Sequence, residues 1–174
     1  MKKFVLNIIG PGCSGKSTLS TTIGERYPGT YLISYDKLKW QLFGYNRVHD
    51  KEIMKQLAFG VYEVVCKLGI PIIYQPFFID EADYECSRAM AVKFGYEVFT
   101  VAVTAPRDIL LTRFRARVKS AQESRSKISV TDEEVFLENM AKPRFLPPET
   151  PVFDTSVMTA EQIADEVDKL FLKK

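Results

Sequence analysis

The sequence predicts a single α/β domain, with five mainly parallel strands and helices on both faces of the sheet. Three observations carry this expectation. Short apolar runs of strand type alternate with helix-like segments from end to end, which implies βαβ crossovers. The chain has 174 residues, a one-domain length, and its 46% hydrophobic content suffices for one buried core. No internal repeat or low-complexity linker interrupts it, and Pro147-Pro148-Glu149-Thr150-Pro151 is too short to separate domains.

The first strand is Phe4 to Ile9, an apolar run that leads straight into Gly10-Pro11-Gly12-Cys13-Ser14-Gly15-Lys16-Ser17. This is the G-x-x-x-x-G-K-S pattern of a phosphate-binding loop, and Thr18 to Ile23 opens a helix behind it. Strand, glycine turn and helix N-terminus together form an anion cradle. Backbone N–H groups of Gly10, Gly12, Cys13, Ser14, Gly15 and Thr18 surround phosphate, Lys16 reaches the β and γ groups, and the Ser17 hydroxyl is placed to ligate Mg²⁺. The expected ligands are ATP and Mg²⁺.

Thr30 to Ser34 reads as the second strand. Asp50 to Leu68 is a long helix, with Ile53, Leu57, Val61, Val64 and Leu68 in one stripe at helical spacing. Asp50 is its expected N-cap, and Gly69 followed by Pro71 its stop signal. Ile70 to Tyr74 is a buried-type strand. Asp80 caps the helix ending at Gly95, and Glu97 to Val103 is the fourth strand. Pro106 starts a helix with Leu111, Phe114 and Val118 on its buried side. Thr131-Asp132-Glu133-Glu134 and Thr159-Ala160-Glu161-Gln162 both carry the capping-box pattern, with Pro151 to Phe153 as a last short strand between them.

Charge and cysteine content narrow the function. Lys and Arg total 24 against 22 Asp and Glu, a net charge of +2, which argues against non-specific nucleic-acid binding over the whole surface. Cys13, Cys66 and Cys86 have no metal-type spacing and suit a reducing cytosol. The apolar run after Met1-Lys2-Lys3 ends after six residues, short of the seven or so of a signal core. No run approaches the roughly 20 apolar residues of a membrane span. The reading is cytoplasmic, with no membrane partner.

Two further groups of residues point to chemistry. Asp36 ends the second strand, at the carboxyl edge where ligands bind in open α/β sheets. There it can hold an acceptor hydroxyl in line with a γ-phosphate and take its proton; the alternative is that it caps the next helix. Arg113 and Arg117 lie four apart in a basic stretch, Arg113 to Lys127, and share a helix face from which they can neutralise transferring phosphate. Residues 120–129 lack a hydrophobic pattern, so 113–130 reads as a basic lid segment within the single 1–174 domain. His49 reads as a surface residue. Trp40, Phe43 and Tyr45 suit either base stacking or helix packing, and Tyr74-Gln75-Pro76-Phe77-Phe78 either an acceptor pocket or core.

On these residues the chain resembles small P-loop kinases, in the group of polynucleotide 5′-hydroxyl kinases and zeta-toxin-like kinases. The resemblance rests on Gly10 to Thr18, Ser34 to Lys39, Arg113-x-x-x-Arg117 and Phe153-Asp154-Thr155-Ser156. It implies a three-layer P-loop NTPase fold and transfer of the ATP γ-phosphoryl group to a hydroxyl of a small molecule or of a nucleotide or polynucleotide end. It also implies Asp36 as the residue activating that hydroxyl, and Arg113 and Arg117 as phosphate clamps. Two positions depart from the pattern. Lys39 stands where polynucleotide kinases use an arginine toward a substrate phosphate, and Gln75 where relatives often carry an aspartate. A P-loop module without turnover is one alternative. A GTPase-type switch is another, although the chain has no Asn-Lys pair to begin a guanine-reading N-K-x-D signature.

Overall fold

The computed structural model describes residues 2–46, 48–76, 78, 80–142 and 145–173. Five parallel strands form the sheet: β1 (Phe4–Ile9), β2 (Tyr31–Ser34), β3 (Ile72–Gln75), β4 (Glu97–Thr104) and β5 (Val152–Asp154), in the order β2-β3-β1-β4-β5. The central strand β1 is buried at all six positions, because helices cover both faces. Its register sets Val5 against Ile72 on one side and Val98 on the other.

Helix α1 (Lys16–Arg26) and, near the C-terminus, α7 (Ala160–Val167) cover one face. Leu19, Ile23, Ile163, Ala164 and Val167 pack there on Leu6, Ile8, Val101 and Val103. The short α2 (Tyr35–Leu38) runs into a 3-10 turn at Lys39–Gln41, and α3 (Lys51–Leu68) and α4 (Glu81–Lys93) cover the opposite face. Tyr62, Val65, Cys66 and Ala91 meet Val5, Ile33, Ile72 and Tyr74 there. Helices α5 (Arg107–Ser124) and α6 (Glu133–Ala141) form a smaller cluster through Leu110, Phe114 and Phe136. Arg26 ties α1 to α7 through Glu161 and Asp165, at 2.5 and 2.7 Å.

Local signals mostly predict the caps. Asp80 accepts from the Asp83 N–H, and Thr159 with Gln162 forms a full capping box. The expected box at Thr131 does not form: Asp132 is the cap, accepting from the Val135 N–H at 3.0 Å. Asp50 occupies the N-cap of α3, but its carboxylate accepts from the Asn46 N–H instead of from the helix. The stripe that marks α3 in the sequence is not its buried face. Met54, Ala58, Tyr62, Val65 and Cys66 are buried and Val61 of the expected stripe packs half-buried against the same cluster, whereas Ile53, Leu57, Val64 and Leu68 are exposed. The face that packs on the sheet carries Tyr62, which meets Tyr74 of β3. The lid segment also differs from expectation, since α5 continues to Ser124 with Ala121 buried.

Candidate functional site

The phosphate loop turns on two glycines that the structure explains. A Cβ at Gly10 would lie 2.1 Å from the Val103 carbonyl oxygen, so only glycine lets the loop leave β1 this close to β4. Gly15 adopts φ +90° and is the N-cap of α1, with no side-chain cap and no acid in the first turn. Positive helix-end dipole and backbone N–H groups therefore face the loop without an internal anion. Cys13 also takes a left-handed φ of 62°. Ser14 is fully buried and donates to the Pro11 carbonyl at 2.9 Å, which holds the loop's shape. Lys16 Nζ bridges the Gly10 and Pro11 carbonyls at 3.0 and 2.6 Å. Ser17 and Thr18 are exposed beside it.

Asp36 stands in the first turn of α2, at the carboxyl end of β2. The N-cap of α2 is Ser34, so the helix-capping alternative for Asp36 does not hold. Its carboxylate instead pairs with Lys39 and accepts from Ser129 Oγ at 3.2 Å. Crowding by protein pushes the Asp36 pKa up. Lys39 foremost, with Lys16 and the Ser129 hydroxyl, outweighs this and holds the group below the ordinary aspartate range. Asp36, just after β2, and the phosphate loop, just after β1, lie at the same carboxyl edge of the parallel sheet. Lys39 is buried, lies 5.2 Å from the centre of the Trp40 ring and donates to Ser129 at 2.6 Å. It thus fastens the segment after α5 to the end of β2.

Arg113 donates to the Thr155 hydroxyl and carbonyl at 2.7 and 2.8 Å, and the Thr155 side chain backs Gly15. Asp154 orders this corner by accepting from the Ser156 N–H and hydroxyl. The structure therefore brings Arg113 to the loop's rim. Arg117, one turn further along α5, is exposed. Arg115 forks onto Glu133 at 2.7 and 2.8 Å, joining α5 to the start of α6. Phe136 of α6 stacks on Phe114 at 4.2 Å, and its ring would lie 3.0 Å from a Cβ at Gly12. An aromatic helix face thus covers the phosphate loop.

Gln75 is buried and bonded at both ends. Its carbonyl accepts from Ser34 Oγ at 3.0 Å and its amide donates to Ser20 Oγ at 2.7 Å, tying β2, β3 and α1 together behind the loop. Beyond β3, Tyr35, Phe59, Tyr74 and Phe78, with the Lys55–Asp83 pair (2.5 Å) at the side, line a small hollow of about 30 Å³, room for little more than a water molecule. Phe77, grouped with this segment in the sequence, lies outside the described residues. His49 is exposed, as expected, and so is Phe43; Trp40 packs edge-on against Tyr45. Arg125 and Lys127 line a second groove with Trp40. The Asp36–Lys39 pair is only three residues apart, but the contacts of both with Ser129 and the Phe136 cover of Gly12 escape sequence reading, because those partners lie 90 or more residues apart in the chain.

A parallel sheet with a glycine loop after its first strand, a lysine within that loop and a carboxylate after the second strand, two places away in the sheet, defines a P-loop nucleotide-binding domain of kinase-like type. The family described as AAA domain matches residues 5–143, and the chain belongs to it. Among solved structures it is similar to a candidate kinase from Chloroflexus aurantiacus (18% identity, TM-score 0.72), over 97% of this chain and 98% of that one. It is likewise similar to the Mycobacterium tuberculosis APS kinase in complex with AMPPNP and APS (15%, 0.66, 99% of each chain). A third is a gluconokinase from Sinorhizobium meliloti 1021 (14%, 0.62, 94% of this chain and 88% of that one). Identities this low carry the fold alone. No curated protein matches the chain by sequence. Among the described residues no helix is long and apolar enough to cross a membrane.

Proposed function

We propose that this chain is a kinase that transfers the γ-phosphoryl group of MgATP to the hydroxyl of a small molecule. The observation that carries this reading is the position of Asp36, a carboxylate at the carboxyl end of β2, on the sheet edge where the phosphate loop leaves the parallel strand β1. Asp36 orients the acceptor hydroxyl and takes its proton late, as the loose transition state of phosphoryl transfer allows. Lys16 offsets charge on the transferring oxygens, with Arg113 and Arg117 as cations from α5. Mg²⁺, held by the exposed Ser17 hydroxyl and by the nucleotide's own phosphates, would supply further neutralisation. That fits a chain with no cluster of metal-ligating side chains among its described residues.

Gln75, spent on Ser34 and Ser20 where relatives of the polynucleotide-kinase type often carry an aspartate, favours a small-molecule acceptor over a polynucleotide end. Lys39 supports the same choice, since it is buried against Asp36 and Ser129 rather than presented to an incoming phosphate. The test is transfer from labelled ATP to a panel of sugars, nucleosides, aromatic alcohols and 5′-hydroxyl oligonucleotides, run beside Lys16→Ala. Transfer to a small molecule that Lys16→Ala abolishes is expected. Transfer only to oligonucleotides would reassign the acceptor, and ATP binding without any transfer would leave a P-loop module lacking turnover.

A further inference from the structure

The outward face of α3 is apolar along its whole length. Ile53 and Leu57 are each 49% exposed, Val64 54% and Leu68 67%, on a helix of 18 residues. These side chains lie on one stripe, roughly 110° round the helix from the face that packs on the sheet. In the middle of the stripe stands Gly60, with nothing within 4 Å of where a Cβ would be. Glycine inside a helix weakens it, and among the described residues no packing uses the space. Single exposed apolar residues are ordinary, but a continuous stripe with a small residue at its centre is a surface shaped for another helix.

The spacing is complementary to itself. Turned end over end about a twofold axis between Gly60 and Val61, α3 sets Ile53 opposite the second copy's Leu68, Leu57 opposite its Val64, and Gly60 opposite its Val61. The charges follow the same symmetry. Glu52, Gln56, Glu63 and Lys67 run along one edge of the stripe, so the pairing brings Glu52 beside the second copy's Lys67 and Gln56 beside its Glu63. Within one chain, Glu63 holds Lys67 at 2.8 Å, which keeps the ammonium at that edge. Opposite charges therefore meet twice across the axis, and apolar residues fill the centre. We infer that α3 is the contact surface of a symmetric dimer, in which two copies of this chain pack antiparallel along their exposed stripes.

The inference does not depend on catalysis, and its test reads mass. Sedimentation of the full chain across about 1–200 µM should show a species of twice the chain mass, its fraction rising with concentration. Leu57→Lys, a change at an exposed position, should leave the protein folded and monomeric throughout. Lys67→Glu alone and Glu52→Lys alone should each weaken association by about tenfold, and the double variant should recover most of the loss because the pair re-forms with its charges exchanged. In a Cys86→Ser background, Gly60→Cys should form a disulfide-linked dimer on oxidation, whereas Ile53→Cys, far from its own copy in the antiparallel arrangement, should not. A wild-type chain monomeric over the whole range, a dimer indifferent to Leu57→Lys, or failure of the charge-exchanged double variant to recover would each overturn the inference.

Discussion

The two halves of the proposed site are built on different principles. The nucleotide half, at the ends of β1 and β5, is one continuous loop held close to its surroundings: Gly10 lies against the Val103 carbonyl, Gly15 against the Thr155 side chain, and the start of α1 is uncapped. The proposed acceptor half, around β2 and β3, is made of side chains from distant segments: Asp36 and Lys39 meet Ser129 there, and Tyr35, Phe59, Tyr74 and Phe78 lie alongside. Phosphate is alike in every nucleotide, so a rigid backbone cradle serves it. An acceptor is particular, so side chains that can change without disturbing the sheet would suit it.

That contrast can be broken at Asp36 first. Asp36→Asn keeps the shape but cannot take a proton, so single-turnover transfer should fall by about 10²–10⁴ while ATP affinity stays close to wild type. Loss of ATP binding in this variant would mean that the two halves do not work separately. On the nucleotide side, Gly10→Ala should cost about 1–3 kcal/mol of stability, a melting point lower by roughly 3–10 °C, because β4 must yield to the new methyl group. It should also weaken ATP binding in calorimetric titration. An unchanged melting point would mean that the loop has more room than its geometry indicates.

Lys39→Met sharpens the acceptor half through its pH dependence. Asp36 is held below the ordinary aspartate range, with Lys39 the main stabiliser of its charged form. Removing that cation raises the Asp36 pKa, so the acid-side loss of kcat/KM should move to higher pH. A pH profile that superimposes on wild type would show that Lys39 does not govern the carboxylate. Arg115→Ala should have the smallest effect, since the Arg115–Glu133 pair is solvent-exposed. Its melting point should match wild type within error, whereas a large drop would make the pair, rather than Phe136 on Phe114, the main tie between α5 and α6.

The sequence by itself determined the sheet and the phosphate loop. Both are written in short-range signals: apolar runs of strand length, glycines where a loop must pass close to backbone, and caps such as Asp80 and Thr159 with Gln162. Asp36 was legible because it follows a strand at the carboxyl edge of the sheet. Tertiary structure alone decided what Asp36 touches, that Phe136 covers Gly12, and that Gln75 is spent on Ser34 and Ser20. It also decided which face of α3 is buried. The sequence of α3 carries apolar residues on two adjoining faces, Ile53-Leu57-Val64-Leu68 and Met54-Ala58-Tyr62-Val65, and helical periodicity alone cannot rank them. Only the shape of the sheet surface, which accepts Tyr62 against Tyr74 at 5.1 Å, makes the choice. Long-range partners are set by packing, and packing is a property of surfaces that neighbouring letters do not encode.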